Sequence, residues 1–262
     1  MAEHVLFSNQ VIENKMTDLV NTQLDVNALF TVDNSLSTEA GLKKVINKYT
    51  YNGAVEKLAK GAKNSDGAKG KVSFTPSEYE IERYQQTFEY NDMDVMADPY
   101  ILDVATTGAA TVMANDMRVK YFAELEKITN KFEYTTLNYD AFVDALAEIG
   151  REVESDMFIV TGLDGRATIR KDADYKSSRQ GEILYTGQFG TISGVPCLFS
   201  KLVPEGVSYI TSKDQVKLFV KKDGSVEQDR DIETKDNTVV YDRYGVMALV
   251  DETKSIKLTP KA

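Results

Sequence analysis

The chain holds one imidazole, His4, and one thiol, Cys197, so the side chains that most often do chemistry are nearly absent. No Ser or Cys has a credible His partner for nucleophilic catalysis. A zinc site has almost no candidate ligands, and a single cysteine excludes an intrachain disulfide. Three other stretches have suggestive spacing. Gly187-Gln188-Phe189-Gly190-Thr191-Ile192-Ser193-Gly194 has the glycines of a phosphate loop. It lacks the following Lys-Ser/Thr, and a strand rather than a helix follows, so no helix N-terminus is available to an anion. A structural turn is the expectation there. Asn64, Asp66 and Gly67 suggest the start of a calcium loop, but the remaining oxygen ligands and the terminal Glu are missing. Asp92, Asp94 and Asp98 could hold a divalent cation; placed just before a helix, they more simply compensate its dipole. Paired carboxylates abound, and none has an apolar setting that would raise its pKa. The expectation is a protein that is not an enzyme, with no cofactor and no metal.

With 262 residues, 42% hydrophobic and 27% charged, the chain can bury a real core in one large domain or two modest ones. Its formal charge of −10 argues against a sequence-reading nucleic-acid binder, which needs a cationic footprint. It does not exclude a wall that encloses nucleic acid without gripping it. No apolar run reaches membrane length, and MAEHVLFSNQVIENK lacks the layout of a signal peptide, so folding in the cytosol is expected.

The longest periodic stretch runs from Asp98 to Asn130. Leu102, Ala105, Ala109, Val112, Met113, Asp116, Leu125 and Ile128 recur mostly at helical steps. Asp98 is placed to cap this helix and Pro99 to sit in its first turn. At thirty residues it would be about 45 Å long, a backbone on which other elements pack. Before it, Ser8–Asn21 reads as a helix, and 1–38 as a helix plus an arm that needs another surface to bury it. Leu42–Tyr51 and Val72–Asp94 read as strands around a Gly-, Ala- and Lys-rich segment, with neither face of the second strand apolar enough to cover a core.

The charge of this region is segregated. Gly41–Lys71 has Lys43, Lys44, Lys48, Lys57, Lys60, Lys63, Lys69 and Lys71 against two acids, a net of about +6. Val72–Asp103 has Glu78, Glu80, Glu82, Glu89 and four Asp against Arg83, a net of about −7. That fits a solvated hairpin whose strands attract each other, and equally a projecting loop steered onto an oppositely charged neighbour. Both can hold.

After the long helix, Asn138 caps a second one over Tyr139–Val153, followed by a buried strand Met157–Thr161 and a short helix from Leu163 or Asp164. This alternation suggests a small α/β subdomain. Strands are expected within Gly181–Lys201 and at Val207–Ile210 and Val216–Val220, then a turn at Asp223-Gly224. Val226–Ile232, Thr238–Val250 and Ser255–Leu258 read as a terminal meander.

The C-terminal half carries a pattern. Gly194-Val195-Pro196-Cys197-Leu198-Phe199-Ser200 is followed by Val203-Pro204-Glu205-Gly206, then Val226-Glu227-Gln228-Asp229-Arg230-Asp231 and Tyr244-Gly245-Val246-Met247-Ala248-Leu249. This series resembles the end of tailed-bacteriophage major capsid proteins of the Hong Kong 97 fold, with Cys197 where Val is commoner and Val203 where Met is commoner. The upstream order of elements agrees over nearly the whole chain. The resemblance implies an α+β, Hong Kong 97-like capsid fold. Residues 1–40 would be the N-terminal helix and arm, and 41–94 the extended E-loop hairpin. The spine helix of the peripheral domain would be 95–137, the axial α/β domain 138–222, and the returning peripheral sheet 223–262.

The function so implied is a structural major capsid protein that self-assembles into hexamers and pentamers of an icosahedral shell around phage DNA. Its location would be the virion capsid, assembled in the host bacterial cytoplasm. Partners would be other copies of the chain, a separate scaffolding protein and a portal. Double-stranded DNA would be enclosed without sequence-specific binding, and no membrane is involved. The inter-subunit contact candidates are Lys57, Lys60, Lys63, Lys69 and Lys71 on the basic side of the loop and Glu78, Glu80, Glu82 and Arg83 on the acidic side. Arg230 and Asp231 of the C-terminal pattern complete the set. Two alternatives stay open: an encapsulin-type compartment shell, and a small-ligand or nucleotide-binding α/β protein using Gly187–Gly194.

Overall fold

The computed structural model describes residues 9–25, 29–38, 40–150, 156–172 and 190–261. His4, Val153 and the Gly187–Phe189 part of the glycine-rich stretch lie outside them. The chain divides into two compact units, residues 40–81 and the remainder.

The larger unit is organised on helix α3, Ile101–Leu125, about 37 Å long. It starts later than the sequence suggests. A separate short helix α2, Asp92–Ala97, precedes it, capped by the Asn91 side chain. Asp98 ends α2 in extended backbone, the conformation that a following proline imposes. Its carboxylate then accepts the Tyr100 N–H at 2.9 Å. Helix α3 is buried on more than one side. Leu102, Thr106, Ala109, Ala110, Met113, Ala114, Met117, Tyr121, Phe122 and Leu125 are covered, whereas Val112 of the anticipated periodic set faces solvent.

One cover is helix α1, Asn9–Asp25. Its Ile12, Met16 and Val20 enter the core around α3. Lys15 pairs with Asp103 at 2.6 Å, and Gln23 donates to the Thr111 hydroxyl at 2.8 Å. Both links span the same eight-residue step, so the two helices lie side by side in parallel. The sequence reading left this segment without a surface to bury it. Its own chain provides one.

Strand β1, Thr31–Asp33, pairs in parallel with the long strand β10, Val216–Arg230. β10 pairs with β11, Asp236–Leu249, which pairs with β4, Glu82–Asn91. The order of this sheet is β1-β10-β11-β4. The expected turn at Asp223-Gly224 is instead an irregularity inside β10, where the register shifts between Lys222 and Ser225. Gly224 is required there for space. A Cβ on it would come within 2.3 Å of the Tyr241 ring and 2.6 Å of Thr17 Oγ1. The reversal lies at 231–235, where Asp231 accepts the N–H groups of Glu233 and Thr234 and Lys235 takes φ +64°.

The second sheet has the order β5-β12-β9-β6-β8-β7. Its strands are β5 Lys131–Tyr134, β6 Met157–Thr161, β7 Thr191–Ile192, β8 Val195–Phe199, β9 Ser208–Ser212 and β12 Ile256–Pro260. The last strand therefore leaves the expected meander and pairs with β5 and β9. Along β6 the side chains alternate between two cores, as a strand period of two requires. Phe158 and Val160 join the α3 core; Met157 and Ile159 join a second one with Phe142, Ala145 and Leu146 of helix α4, Tyr139–Ile149, and Ile169 of helix α5, Leu163–Lys171. Asn138 caps α4 by accepting the Ala141 N–H, as read from the sequence, and Gly150 ends it at φ +65°.

The smaller unit is an antiparallel hairpin, β2 Lys43–Asn52 with β3 Lys71–Glu80. The expected strand Val72–Asp94 is thus two strands that meet at Ile81, and they serve different sheets.

Candidate functional site

The hairpin register decides which side chains share a face. Tyr49 lies opposite Phe74, Tyr51 opposite Val72, and Asn47 opposite Pro76. Opposed residues of an antiparallel pair point to the same side. Tyr49, Tyr51, Val72 and Phe74 therefore form one apolar patch, and each is between 63% and 69% exposed. The Tyr49 and Phe74 rings lie 6.2 Å apart. Tyr51 also covers the neck of the loop: a Cβ on Gly53 or Gly70 would fall within 2.6 Å of its ring or hydroxyl. Four exposed rings and branched chains on one face of a two-stranded ribbon call for a cover. The sequence reading missed this patch because it sought alternation within Val72–Asp94. The useful signal was Tyr49 and Tyr51 at a two-residue step in the other strand.

At the opposite end of the hairpin the charges are satisfied locally. Lys43 reaches Glu78 at 3.3 Å and Glu80 at 3.7 Å, and the Glu78 hydrogen bond is the main reason its pKa is raised. In the loop Lys69 pairs with Asp66. Glu56 accepts both the Ser65 N–H, at 2.8 Å, and its hydroxyl, and these bonds hold the Glu56 carboxyl below its ordinary range. Lys57, Lys60 and Lys63 make no ion pair among the described residues, and neither does Lys71.

The remaining charged candidates sit in the larger unit and are engaged there. Glu82 pairs with Lys120 of α3 at 2.9 Å, across a groove whose floor includes Tyr84 and Met113. Arg83 meets Asp242 at 2.8 Å; that largely buried carboxylate also accepts from the Ser225 and Tyr244 hydroxyls. Arg230 pairs with Asp92, which also accepts the Asn237 amide at 2.7 Å. Asp231 caps the β10–β11 reversal. Glu82, Arg83, Arg230 and Asp231, singled out for contact between subunits, thus have structural partners within the larger unit, as Lys69, Glu78 and Glu80 have within the smaller one.

The chemical candidates are not assembled. Ser193 and Gly194 form the two-residue reversal between β7 and β8, with φ +49° and +85°, so the described end of the glycine-rich stretch is a hairpin turn. Asp92 and Asp94 lie in the first turn of α2. Among the described residues no group of three or more His, Cys, Asp or Glu is placed to hold a metal, and no helix is long and apolar enough to cross a membrane. The orphaned buried hydroxyls of Tyr121 and Tyr209 lie inside the α3 core, where burial raises both pKa values far above ordinary.

No family model matches the chain. It is 25% identical over 264 residues to the major capsid protein of Staphylococcus phage phiMR11, covering 96% of this chain and 94% of that protein. Its fold resembles the capsid structure of the cyanophage P-SCSP1u at TM-score 0.67, with 10% identity over 90% of this chain and 88% of the other. It also resembles a virus-like particle from Pyrococcus furiosus at TM-score 0.64, with 12% identity over 95% and 98%.

Proposed function

We infer that this chain, a tailed-phage major capsid protein of the Hong Kong 97 fold, is the structural subunit of an icosahedral shell built from its hexamers and pentamers. The observation that carries this reading is the end-to-end relation to a phage major capsid protein: 25% identity spread over 96% of one chain and 94% of the other. The fold alone does not choose between a phage head and another protein shell, since the archaeal particle is about equally similar. The sequence relation favours the phage head over an encapsulin-type compartment. A nucleotide-binding role loses its support, because Gly190–Gly194 leads into paired strands and not a helix.

The parts take their roles accordingly. Residues 1–40 act as N-terminal helix and arm, the hairpin as E-loop, α3 as spine, the four-stranded sheet as peripheral domain and the six-stranded sheet with α4 and α5 as axial domain. The hairpin patch of Tyr49, Tyr51, Val72 and Phe74 is covered by a second copy, with Lys57, Lys60 and Lys63 pairing across that contact. Glu82, Arg83, Arg230 and Asp231 act mainly within the subunit. The shell encloses double-stranded DNA without reading it, and a scaffolding protein and a portal direct its closure in the host cytoplasm. The role is structural, not enzymatic.

Expression of the chain alone and beside the scaffolding gene of its neighbourhood, followed by negative-stain microscopy, tests this reading. Closed shells are expected. Monodisperse monomers under capsid-forming conditions with scaffold supplied would sink it.

A further inference from the structure

One sheet edge of the larger unit is unlike the others. β1, β5 and β7 close their edges with three, four and two residues. Short edges are a common guard against pairing with another chain. β4 has ten residues and ends its sheet, with no strand on its outer side among the described residues. It pairs with β11 from Glu82 to Asn91 without a register shift, so no bulge turns the edge away. It holds no proline and no lysine, and Tyr84–Phe88 at its centre is uncharged. The groove beside it has room for about 380 Å³, and residues 82–86 in unbroken succession form one wall. Side chains of a strand alternate between faces, so a wall of successive residues is the backbone edge itself.

α3 forms the opposite wall with Val112, Met113, Asp116 and Lys120, and Val112 is 54% exposed. Joined through the short α2, β4 and α3 run antiparallel, with Glu82 beside Lys120 at 2.9 Å. Four residues along β4 and eight back along α3 both measure about 12–13 Å, so Gln86 comes level with Val112. α3 packs on β4 and on β11, which places its axis roughly half a strand spacing inside the edge.

β4 is self-complementary about Gln86. Two β4 strands paired antiparallel there set Gln86 opposite Gln86, Gln85 opposite Thr87, Tyr84 opposite Phe88 and Arg83 opposite Glu89. The rings meet on the α3 face and the unlike charges on the other. Glu89 makes no ion pair among the described residues, and the Arg83 side chain, held by Asp242, stays 48% exposed. We propose that two copies join edge to edge at β4 about a two-fold axis through Gln86, so that their four-stranded sheets become one. With strands about 4.8 Å apart, the two α3 helices then lie about 10 Å from each other, the distance at which helices pack, and Val112 meets Val112 beside the axis. A two-fold contact uses the same patch on both copies, so this one surface suffices. The contact rests on the shell reading for its role, which is to tie one ring of subunits to the next.

Gln86→Cys tests the register, because residue 86 alone in β4 faces its own counterpart, and the native Cys197 is buried. Full-length Q86C, assembled with the same scaffold as wild type, should give covalent dimers with a mild oxidant. Q85C alone and T87C alone should not, whereas their equal mixture should. Intact shells without Q86C dimers overturn the proposal. Shells that protect the β4 amides from exchange while Q86C stays monomeric would give the edge to some other strand, and overturn it equally. Charge at the axis gives a second reading. Q86K and Q86E each set like charges face to face and should lose roughly tenfold or more of their assembled mass. Mixed in equal amounts they pair Lys with Glu, and assembly should recover. Recovery on mixing cannot come from a misfolded chain, so failure to recover, or Q86K shells at wild-type yield, overturns the contact. Wild type that forms no shells removes the shell reading instead. Oxidation of Q86C as a concentrated free subunit then decides the pairing by itself, dimers upholding it and monomers overturning it.

Discussion

The α3 body and the hairpin are made of the same kinds of strand, but only the body owns a core. In the body, Met16, Met117, Tyr121, Leu125, Tyr209 and Tyr241 are wholly covered by the chain's own residues. The hairpin turns Tyr49, Tyr51, Val72 and Phe74 to solvent. A ribbon of two strands is marginal alone. The body is therefore a folding unit, whereas the hairpin, on the reading proposed above, is an assembly element completed by another copy. Changes in the two regions should then move different observables.

The largest effect is expected in the body. Replacing Leu125, fully buried on α3, with Ala should cost about 2–5 kcal/mol by the lost contacts and the cavity left behind. Urea unfolding of the isolated subunit measures it; a loss below about 1 kcal/mol would mean that α3 is not the centre of a packed core. Next in size, Ala109→Leu and Gly224→Ala overfill packed sites and should cost about 1–3 kcal/mol each in the same measurement. For Gly224 the relief should come from shrinking its neighbour, so the double variant with Tyr241→Phe should recover part of the loss.

The hairpin should behave in the opposite way. Tyr49→Ser with Phe74→Ser removes the centre of the exposed patch and should shift subunit stability by no more than about 0.5 kcal/mol, as surface changes do. Shell yield should nevertheless collapse. Loss of stability with normal shells would reverse the comparison. Smallest of all is the Glu56 loop bond. Because Ser65 lowers the folded-state pKa of Glu56, its contribution is present above the ordinary value of 4.5 and is lost as pH falls through the lower, folded value. The Glu56 carboxyl midpoint, followed by NMR, should move up toward 4.5 in Ser65→Ala. An unmoved midpoint would show that the loop bond is not formed in solution.

Much of the body was legible because its signals are local. Asn138 before an amphipathic run and five covered residues in Met157–Thr161 identify their elements without reference to distant chain. What was not legible depended on partners. Asp98-Pro99 reads equally as a helix start and as the break between two helices, and the short α2 decides for the break. Asp223-Gly224 looks like a turn, but its glycine answers to Tyr241 and Thr17, both far away in sequence. The sequence marks a strand at Ser255–Leu258 without saying that β5 and β9 are the neighbours of β12. The same limit governed the candidate site. Charge counting found the loop but not that Glu82, Arg83 and Arg230 already have partners at home, nor that the register of β2 on β3 gathers the aromatic patch.

Amide hydrogen exchange of β2 and β3, compared between isolated subunits and closed shells, tests most directly whether the hairpin is completed by a neighbouring copy. Residues 43–52 and 71–80 should exchange readily in the subunit and slow by roughly a hundredfold or more in the shell, while α3 stays protected in both. Equal protection of the hairpin in the two states would contradict the account.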